Sequence, residues 1–305
     1  MISVVNGASG FIGTHLVNEL IEYGHIVYAI CRSKTDRFNE LKTDRFHLII
    51  CEQGDIADRL KGVSVDIWYQ LAWEGASGPM RSNEAVQVSN VTLSTESIHI
   101  AHDLKCKKII FAGTIYEAFA EEILKDNNFV GSSYYILAKK FAAQMTMQVA
   151  KKVGIEYVWC RFCHPIGRYI KDNQMMAYVI SSFVNNSETE FGTCDGWYDV
   201  IAVEDLAYAF RLAGEKKLAK KEYYIGGKDT RILKDYILEA AEICRYTKEI
   251  GFGKRPADGL VFNKEWFDSN DFIKETGWCE RVGYREAVKG LEKIYSDNKI
   301  DWRNV

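Results

Sequence analysis

The sequence has no strong imbalance of charge. Its 39 basic and 42 acidic residues leave a formal net charge of −3, which removes the electrostatic case for a nucleic-acid or membrane-surface partner. The basic run Lys216-Lys217-Leu218-Ala219-Lys220-Lys221 reads as a solvated turn or helix end. Paired cysteine spacing of the kind that holds zinc is also missing. Cys160 and Cys163 lie in an apolar strand-like run with no second pair after them, so no metal site is expected. Eight scattered cysteines fit reduced, mostly buried thiols. No apolar run is long enough to span a bilayer, and no repeat or low-complexity segment occurs. The first strand begins at Ile2 and leaves no room for a signal peptide. The expected compartment is the cytoplasm.

What is present is ordinary in bulk and informative at the start. At 305 residues, 47% hydrophobic and 27% charged, the chain can form one large or two modest domains with a sizeable core. Ile2 to Asn6 reads as a buried strand that runs into Gly7-Ala8-Ser9-Gly10-Phe11-Ile12-Gly13. Thr14 to Tyr23 then carries Leu16, Leu20 and Ile21 at helical spacing. Glycine lets a phosphate approach bare backbone, and the helix start offers unpaired N–H groups and a positive dipole end. Gly7, Ser9, Gly10, Phe11, Ile12 and Gly13 are therefore candidate contacts to a nucleotide pyrophosphate. The rival reading is a tight strand-to-helix turn without a ligand.

The glycines follow G-x-x-G-x-x-G rather than G-x-G-x-x-G. That spacing, within GASGFIGTHLVNELIEYGHIVYAI, resembles the extended branch of the short-chain dehydrogenase/reductase superfamily, the NAD(P)-dependent epimerase/dehydratase family acting mainly on nucleotide sugars. Later segments resemble it too. Tyr135-Ile136-Leu137-Ala138-Lys139 matches its Tyr-x-x-x-Lys pair, and Thr114, after the strand Lys108 to Ala112, takes the place of its catalytic serine or threonine. Arg161-Phe162-Cys163-His164-Pro165-Ile166-Gly167 resembles its R-x-x-N-x-x-G turn with His164 for the asparagine. Asp199 and Asp205 fall in a segment like its R-D-F-I-H-V-D-D, as residues that return the chain to the sheet and cap a helix. Arg255-Pro256-Ala257-Asp258 resembles its R-P-x-D.

The resemblance implies roles for further residues. Asp55, with Ile56, stands where the family contacts adenine, and an ordinary turn aspartate is the alternative. Gln70-Leu71-Ala72-Trp73 occupies the place of H-L-A-A, so Leu71 and Ala72 would pass under the cofactor and Trp73 would edge the substrate pocket. Asn90, on the helix Asn83 to Leu104, matches a family asparagine that would hold a water, backbone or cofactor. Arg255 would grip the nucleotide diphosphate and His164 the substrate, or each is a structural residue. At the end of the second strand Cys31 replaces the acidic residue that binds the NAD ribose. Arg32 follows as a fork of donors for a 2′-phosphate, which favours NADP over NAD unless Arg32 merely stacks on adenine.

Residues i and i+4 share a helical face, so Lys139 is expected beneath the Tyr135 side chain. An ammonium there would draw the phenol down from its usual value near ~10. Tyr135 would then exchange a proton with a sugar oxygen that Thr114 holds. Dehydratases of the family carry Asp-Glu after this threonine; Ile115 and Tyr116 stand here, so dehydration is not expected.

Strands alternating with helices predict an α/β fold, a Rossmann-type doubly wound parallel sheet, with a smaller discontinuous lobe. The expected division is 1–167 completed by 197–227 for the NAD(P)-binding domain, and 168–196 with 228–305 for the substrate lobe. The function implied is hydride transfer at C4 of a nucleotide sugar, as an epimerase or a 4-ketosugar reductase. A reductase of a non-sugar carbonyl and a non-catalytic cofactor sensor are the alternatives. A homodimer is implied by relatives.

Overall fold

The computed structural model describes residues 1–126, 131–256 and 259–297. Short apolar strands alternate with helices over the first two-thirds of the chain. In order they are β1 (Ile2–Asn6), β2 (Ile26–Cys31), β3 (Phe46–Ile50), β4 (Ile67–Gln70), β5 (Lys108–Ala112), β6 (Glu156–Arg161), β7 (His164–Ile166), β8 (Trp197–Tyr198), β9 (Val200–Ala202), β10 (Glu222–Tyr224) and β11 (Arg231–Ile232). Seven of them form one parallel sheet in the order β3-β2-β1-β4-β5-β6-β10. This is the doubly wound arrangement, with its switch point between β1 and β4. The smaller pairs are β7 with β9 and β8 with β11.

The helices are α1 (Phe11–Glu22), α2 (Ile56–Arg59), α3 (Glu84–Asp103), α4 (Ala120–Asp126), α5 (Ser133–Val153), α6 (Met175–Val184), α7 (Val203–Glu215), α8 (Leu233–Ile243), α9 (Asn270–Thr276) and α10 (Tyr284–Ser296). Every residue of β4 is buried, as a strand covered by helices on both faces must be. One sheet face packs Leu16, Val17 and Leu20 of α1 with Leu206, Phe210 and Ala213 of α7. The other packs Ile98 and Ala101 of α3 with Ala142, Ala143 and Ala150 of α5. A third apolar cluster joins α6, α8 and α10 to Ile115 and Tyr135, so the additional helices share their core with the end of β5 and the start of α5. No helix among the described residues is long and apolar enough to cross a membrane.

Register aligns the carboxyl ends of the central strands. Asn6 faces Gln70, Gln70 faces Phe111, and Ala112 faces Cys160. Where boundaries depart from the pattern, the backbone explains it. α1 begins at Phe11 because Gly10 is its N-cap. β6 starts only at Glu156 because Gly154, at φ 79°, closes α5. Asp205 does not cap its own helix; its carboxylate accepts the backbone N–H groups of Arg281 and Val282, tying α7 to the chain before α10. All eight cysteines are free thiols, and five of them are buried. Ala257 and Asp258 lie outside the described residues.

Candidate active site

The glycine turn leaves β1 at the switch point. Gly7 has φ 87°, and a Cβ there would stand 2.7 Å from the Ala72 nitrogen. A Cβ on Gly13 would stand 2.2 Å from the Gly7 oxygen. Only bare backbone fits at either place, so the turn lies against Leu71-Ala72 and α1 lies against the turn. Gly10 gives α1 no side-chain cap, and the first N–H groups of a helix have no acceptor within it. This cradle fits the pyrophosphate of a nicotinamide dinucleotide. Ser9 lies beside the Cys31 thiol, while the Phe11 side chain is core. Ile12 is half-buried beside it.

Arg32 is exposed and donates to Glu74 at 3.0 Å. A second cation comes closer to the turn. Arg37 donates to the Ser9 carbonyl at 2.7 Å and lies 4.5 Å over the Tyr169 ring. Asp55 is exposed, and Ile56 is fully buried in the core between α2 and the sheet. Asn90 is 3% exposed. It accepts from the Glu74 nitrogen at 2.9 Å and donates to the Glu74 carbonyl at 2.8 Å. Its amide therefore fixes the loop after β4. Gln70, at the family's histidine position, accepts from Asn6 and Trp68 at 3.0 Å each.

The loop delivers Trp73 to the catalytic candidates. Its indole donates to Gln87 at 3.0 Å, meets the Tyr135 ring edge-on at 6.2 Å, and lies 3.7 Å from the Lys139 ammonium. Thr114, Tyr135 and Lys139 are buried together. The Thr114 hydroxyl favours the ionised form of the Tyr135 phenol, and the Lys139 ammonium donates to the Ala112 carbonyl at 2.8 Å.

The expectation for the phenol needs correction. The Lys139 ammonium is turned to Ala112 and to Trp73. Burial pushes the phenol above the ordinary tyrosine range, and the cation that opposes this is Arg81. The guanidinium lies 4.1 Å over the Tyr135 ring and 4.5 Å over the Tyr116 ring. Its Nε donates to Ser132 and its Nη1 to the Ala76 carbonyl, each at 3.1 Å.

Beneath the pair sits Glu117, 2% exposed. It accepts from the Thr114 nitrogen at 2.7 Å and from the Trp159 indole at 3.0 Å. Burial pushes its carboxyl up to about 7, against the pull of Lys139. Burial pushes Lys139 down to about 7, against the pull of Glu117. The two form a buried pair of opposite charge in which each limits the discharge of the other.

His164 stacks on Tyr198 at 4.3 Å, and its Nε2 lies 3.4 Å from the Tyr116 hydroxyl. Burial, then the charge of Arg81, pushes the imidazole down to about 3, so it is neutral at physiological pH. Arg255 is exposed, 3.8 Å from Glu190 and 5.0 Å over Tyr178. The described contacts do not bring it to the Thr114–Tyr135 group.

Sequence reasoning missed Arg37, Arg81 and Glu117. Thr114-Ile115-Tyr116-Glu117 reads T-x-x-E, a capping box, and the structure forms it; that signal could have found Glu117. Arg37 stands in a turn and Arg81 in a single 3-10 turn, Pro79–Ser82, too short for either to carry a pattern.

The chain is similar to known proteins in sequence and in fold. The model of the NAD dependent epimerase/dehydratase family matches residues 3–226. CDP-abequose synthase of Salmonella typhimurium is 25% identical, covering 95% of this chain and 97% of its own. The trifunctional UDP-glucose 4,6-dehydratase/UDP-4-keto-6-deoxy-D-glucose 3,5-epimerase/UDP-4-keto-L-rhamnose-reductase of Arabidopsis thaliana is 22% identical; 99% of this chain aligns with 48% of that protein. Among solved structures, UDP-glucuronic acid 4-epimerase of Bacillus cereus, in complex with UDP-4-deoxy-4-fluoro-glucuronic acid and NAD, superimposes with a TM-score of 0.83 at 18% identity, over 97% of this chain and 99% of that one. The chain belongs to the NAD dependent epimerase/dehydratase family and is an enzyme of the extended short-chain dehydrogenase/reductase type.

Proposed function

We propose that the enzyme carries out C4 redox chemistry on a nucleotide sugar, as an epimerase or a 4-ketosugar reductase. The observation that carries this reading is the burial of Thr114, Tyr135 and Lys139 together, with Lys139 one turn along on α5 and Ala72-Trp73 leading back to the glycine turn. Bound NAD(P) would supply or accept the hydride. Gly7, Ser9, Gly10, Phe11, Ile12 and Gly13 would hold its pyrophosphate, and Leu71 and Ala72 would border its nicotinamide half. Tyr135 exchanges the proton at the sugar oxygen, and Thr114 holds that oxygen against it. Dehydration is disfavoured on geometry: Ile115 is fully buried, and the Glu117 carboxylate is bonded beneath the Thr114 backbone.

NADP is the preferred cofactor in this reading, with Arg32 and Arg37 as the cations near the β2 end and no carboxylate at Cys31. Residues 168–196 and 228–305 form the substrate lobe. His164 offers a neutral imidazole and Trp73 an aromatic wall to the substrate, while Arg255 would reach a diphosphate only by leaving Glu190. That pairing favours a second reading, a carbonyl substrate without a nucleotide. The exposed Val88 on α3 and Phe141 and Met145 on α5 support a homodimer through those helices.

The test is a binding screen of nucleotide sugars with NADPH and NADH, followed by turnover with the best ligand. Tyr135→Phe is expected to lose at least ~10²-fold in kcat, the lower end for a general acid/base, with cofactor affinity within a few-fold. Retained turnover rejects the assigned role.

A further inference from the structure

We infer that Asp199 and Glu280 share one proton, and that this proton clasps the segment before α10 to the sheet behind Tyr198 and His164. Asp199 stands between β8 and β9 and is 1% exposed. Its Oδ2 accepts from the Tyr224 hydroxyl of β10, while its Oδ1 is buried with no hydrogen-bond partner. The chain leaves β10 through Gly226 and Gly227. A Cβ on Gly227 would stand 3.2 Å from Asp199 Oδ1 and 2.9 Å from Glu280 Oε1, so the two carboxyl groups close on the same stretch of bare backbone. A buried acceptor without a donor is costly, and two carboxylates brought together in a buried place do not both keep their charge. A protonated carboxyl is a donor. A proton on Glu280 supplies the hydrogen bond that Asp199 Oδ1 lacks and removes the repulsion at the same time.

The surroundings favour one proton over two charges. Burial, ahead of every neighbour, pushes each carboxyl up to about 7. Asp229, two residues after Gly227, raises both, and Asp205 of α7 raises Glu280. Lys228 eases the charge on Glu280; the Gly227 N–H eases that on Asp199 but makes no hydrogen bond to it. Arg231 is committed to Asp229 and Glu239. Cys163, before β7, and Tyr236 of α8 also face Asp199, and burial raises both, so they stay neutral. The clasp joins three parts of the fold. Arg281 and Val282, next to Glu280, donate to Asp205 at 2.8 Å each. The Asp199 carbonyl accepts from the His164 N–H at 3.3 Å, and Tyr198 stacks on that imidazole. Carboxyls raised on folding contribute stability that is fully present below their unfolded values of 3.8 and 4.5 and is lost as pH rises through about 7. The clasp is closed in mild acid and released above neutrality.

The test follows hydrogen exchange of the Arg281 and Val282 amides, the two donors to Asp205, in the full chain from pH 5 to 8. In the parent, protection corrected for the intrinsic exchange rate is expected to fall about tenfold per pH unit up to neutrality and then level off, as one proton is released on opening. Glu280→Gln keeps a donor toward Asp199 at every pH, so its protection is expected to lose that slope. A second readout locates the proton. With isotope-labelled glutamate carboxyls followed by carbon NMR, the Glu280 resonance is identified by its loss in Glu280→Gln. Its midpoint is expected at about 7 in the parent, and lower by about one unit or more in Asp199→Asn, a tenfold change in the ionisation constant. Glu280 is only half-buried, so Glu280→Gln decides the matter even where Asp199→Asn does not fold. Neither readout uses substrate or cofactor, so failure of the C4 redox reading leaves both intact. A parent without the slope, a slope that survives in Glu280→Gln, an ordinary glutamate midpoint in the parent, or a midpoint unmoved in a folded Asp199→Asn protein overturns the shared proton.

Discussion

Replacing Glu117 by Gln tests the buried pair beneath the acid/base with a change that keeps shape and removes charge. The amide oxygen can still accept from the Thr114 nitrogen, now 2.7 Å from the carboxylate. Burial holds the Glu117 proton up to about 7 against an ordinary 4.5. That displacement of about 2.5 units at ~1.4 kcal/mol each is worth roughly 3 kcal/mol. For a carboxyl raised on folding, this stability is fully present below pH 4.5 and is lost as pH rises through about 7. Lys139 has the opposite slope. Lowered on folding from 10.5 to about 7, it contributes stability that is present above the unfolded value and lost as pH falls through the folded one. Urea denaturation of parent and Glu117→Gln between pH 4.5 and 8 separates the two effects. The difference in unfolding free energy should move in favour of the variant by roughly 3 kcal/mol across the window. Lys139, deprived of its anion, should fall further, so any activity needing the ammonium should shift to lower pH. Parallel stability curves for the two proteins would refute the claim that burial raises this carboxyl.

Other changes probe the cofactor end. Arg32→Ala is expected to weaken NADPH binding about tenfold or more, on the scale of a charge-assisted hydrogen bond of ~1.5–3 kcal/mol, while NADH binding moves less than threefold; equal losses measured by fluorescence titration would end the 2′-phosphate reading. Gly7→Ala places a methyl 2.7 Å from the Ala72 nitrogen at φ 87°. It should cost about 2–4 kcal/mol, the sum of a left-handed backbone and a forced shift, seen as a lowered Tm and lost dinucleotide binding. An alanine variant as stable as the parent would show that the turn does not need to approach β4 so closely.

How much of this was legible in the sequence depends on the range of the interaction. β1, β2 and β5 were readable to the residue because a strand buried on both faces is a continuous apolar run with turn residues at its ends. The Tyr135–Lys139 spacing was readable because a helix fixes it locally. What the lysine does was not. The position four residues on predicts a shared face, but a side chain with several rotatable bonds goes to the best acceptor in range, here the Ala112 carbonyl at the end of β5. Asn90 shows the same limit. Its place on α3 was expected, yet its partner is the backbone of Glu74, brought alongside by a loop that has no periodicity.

Trp73 connects these departures. A large indole replaces a small residue directly after Ala72, and it needs support on every side: Gln87 for its N–H, the Tyr135 edge, and a cation for its face. Lys139 is the cation it takes. A smaller residue at 73 removes that ring face from the Lys139 ammonium, so Trp73→Ala should change the pH dependence of kcat/KM, and the change should differ when Glu117→Gln is also present, because the same ammonium faces both groups. Strictly additive effects in that double-mutant cycle would show that the two sites act independently.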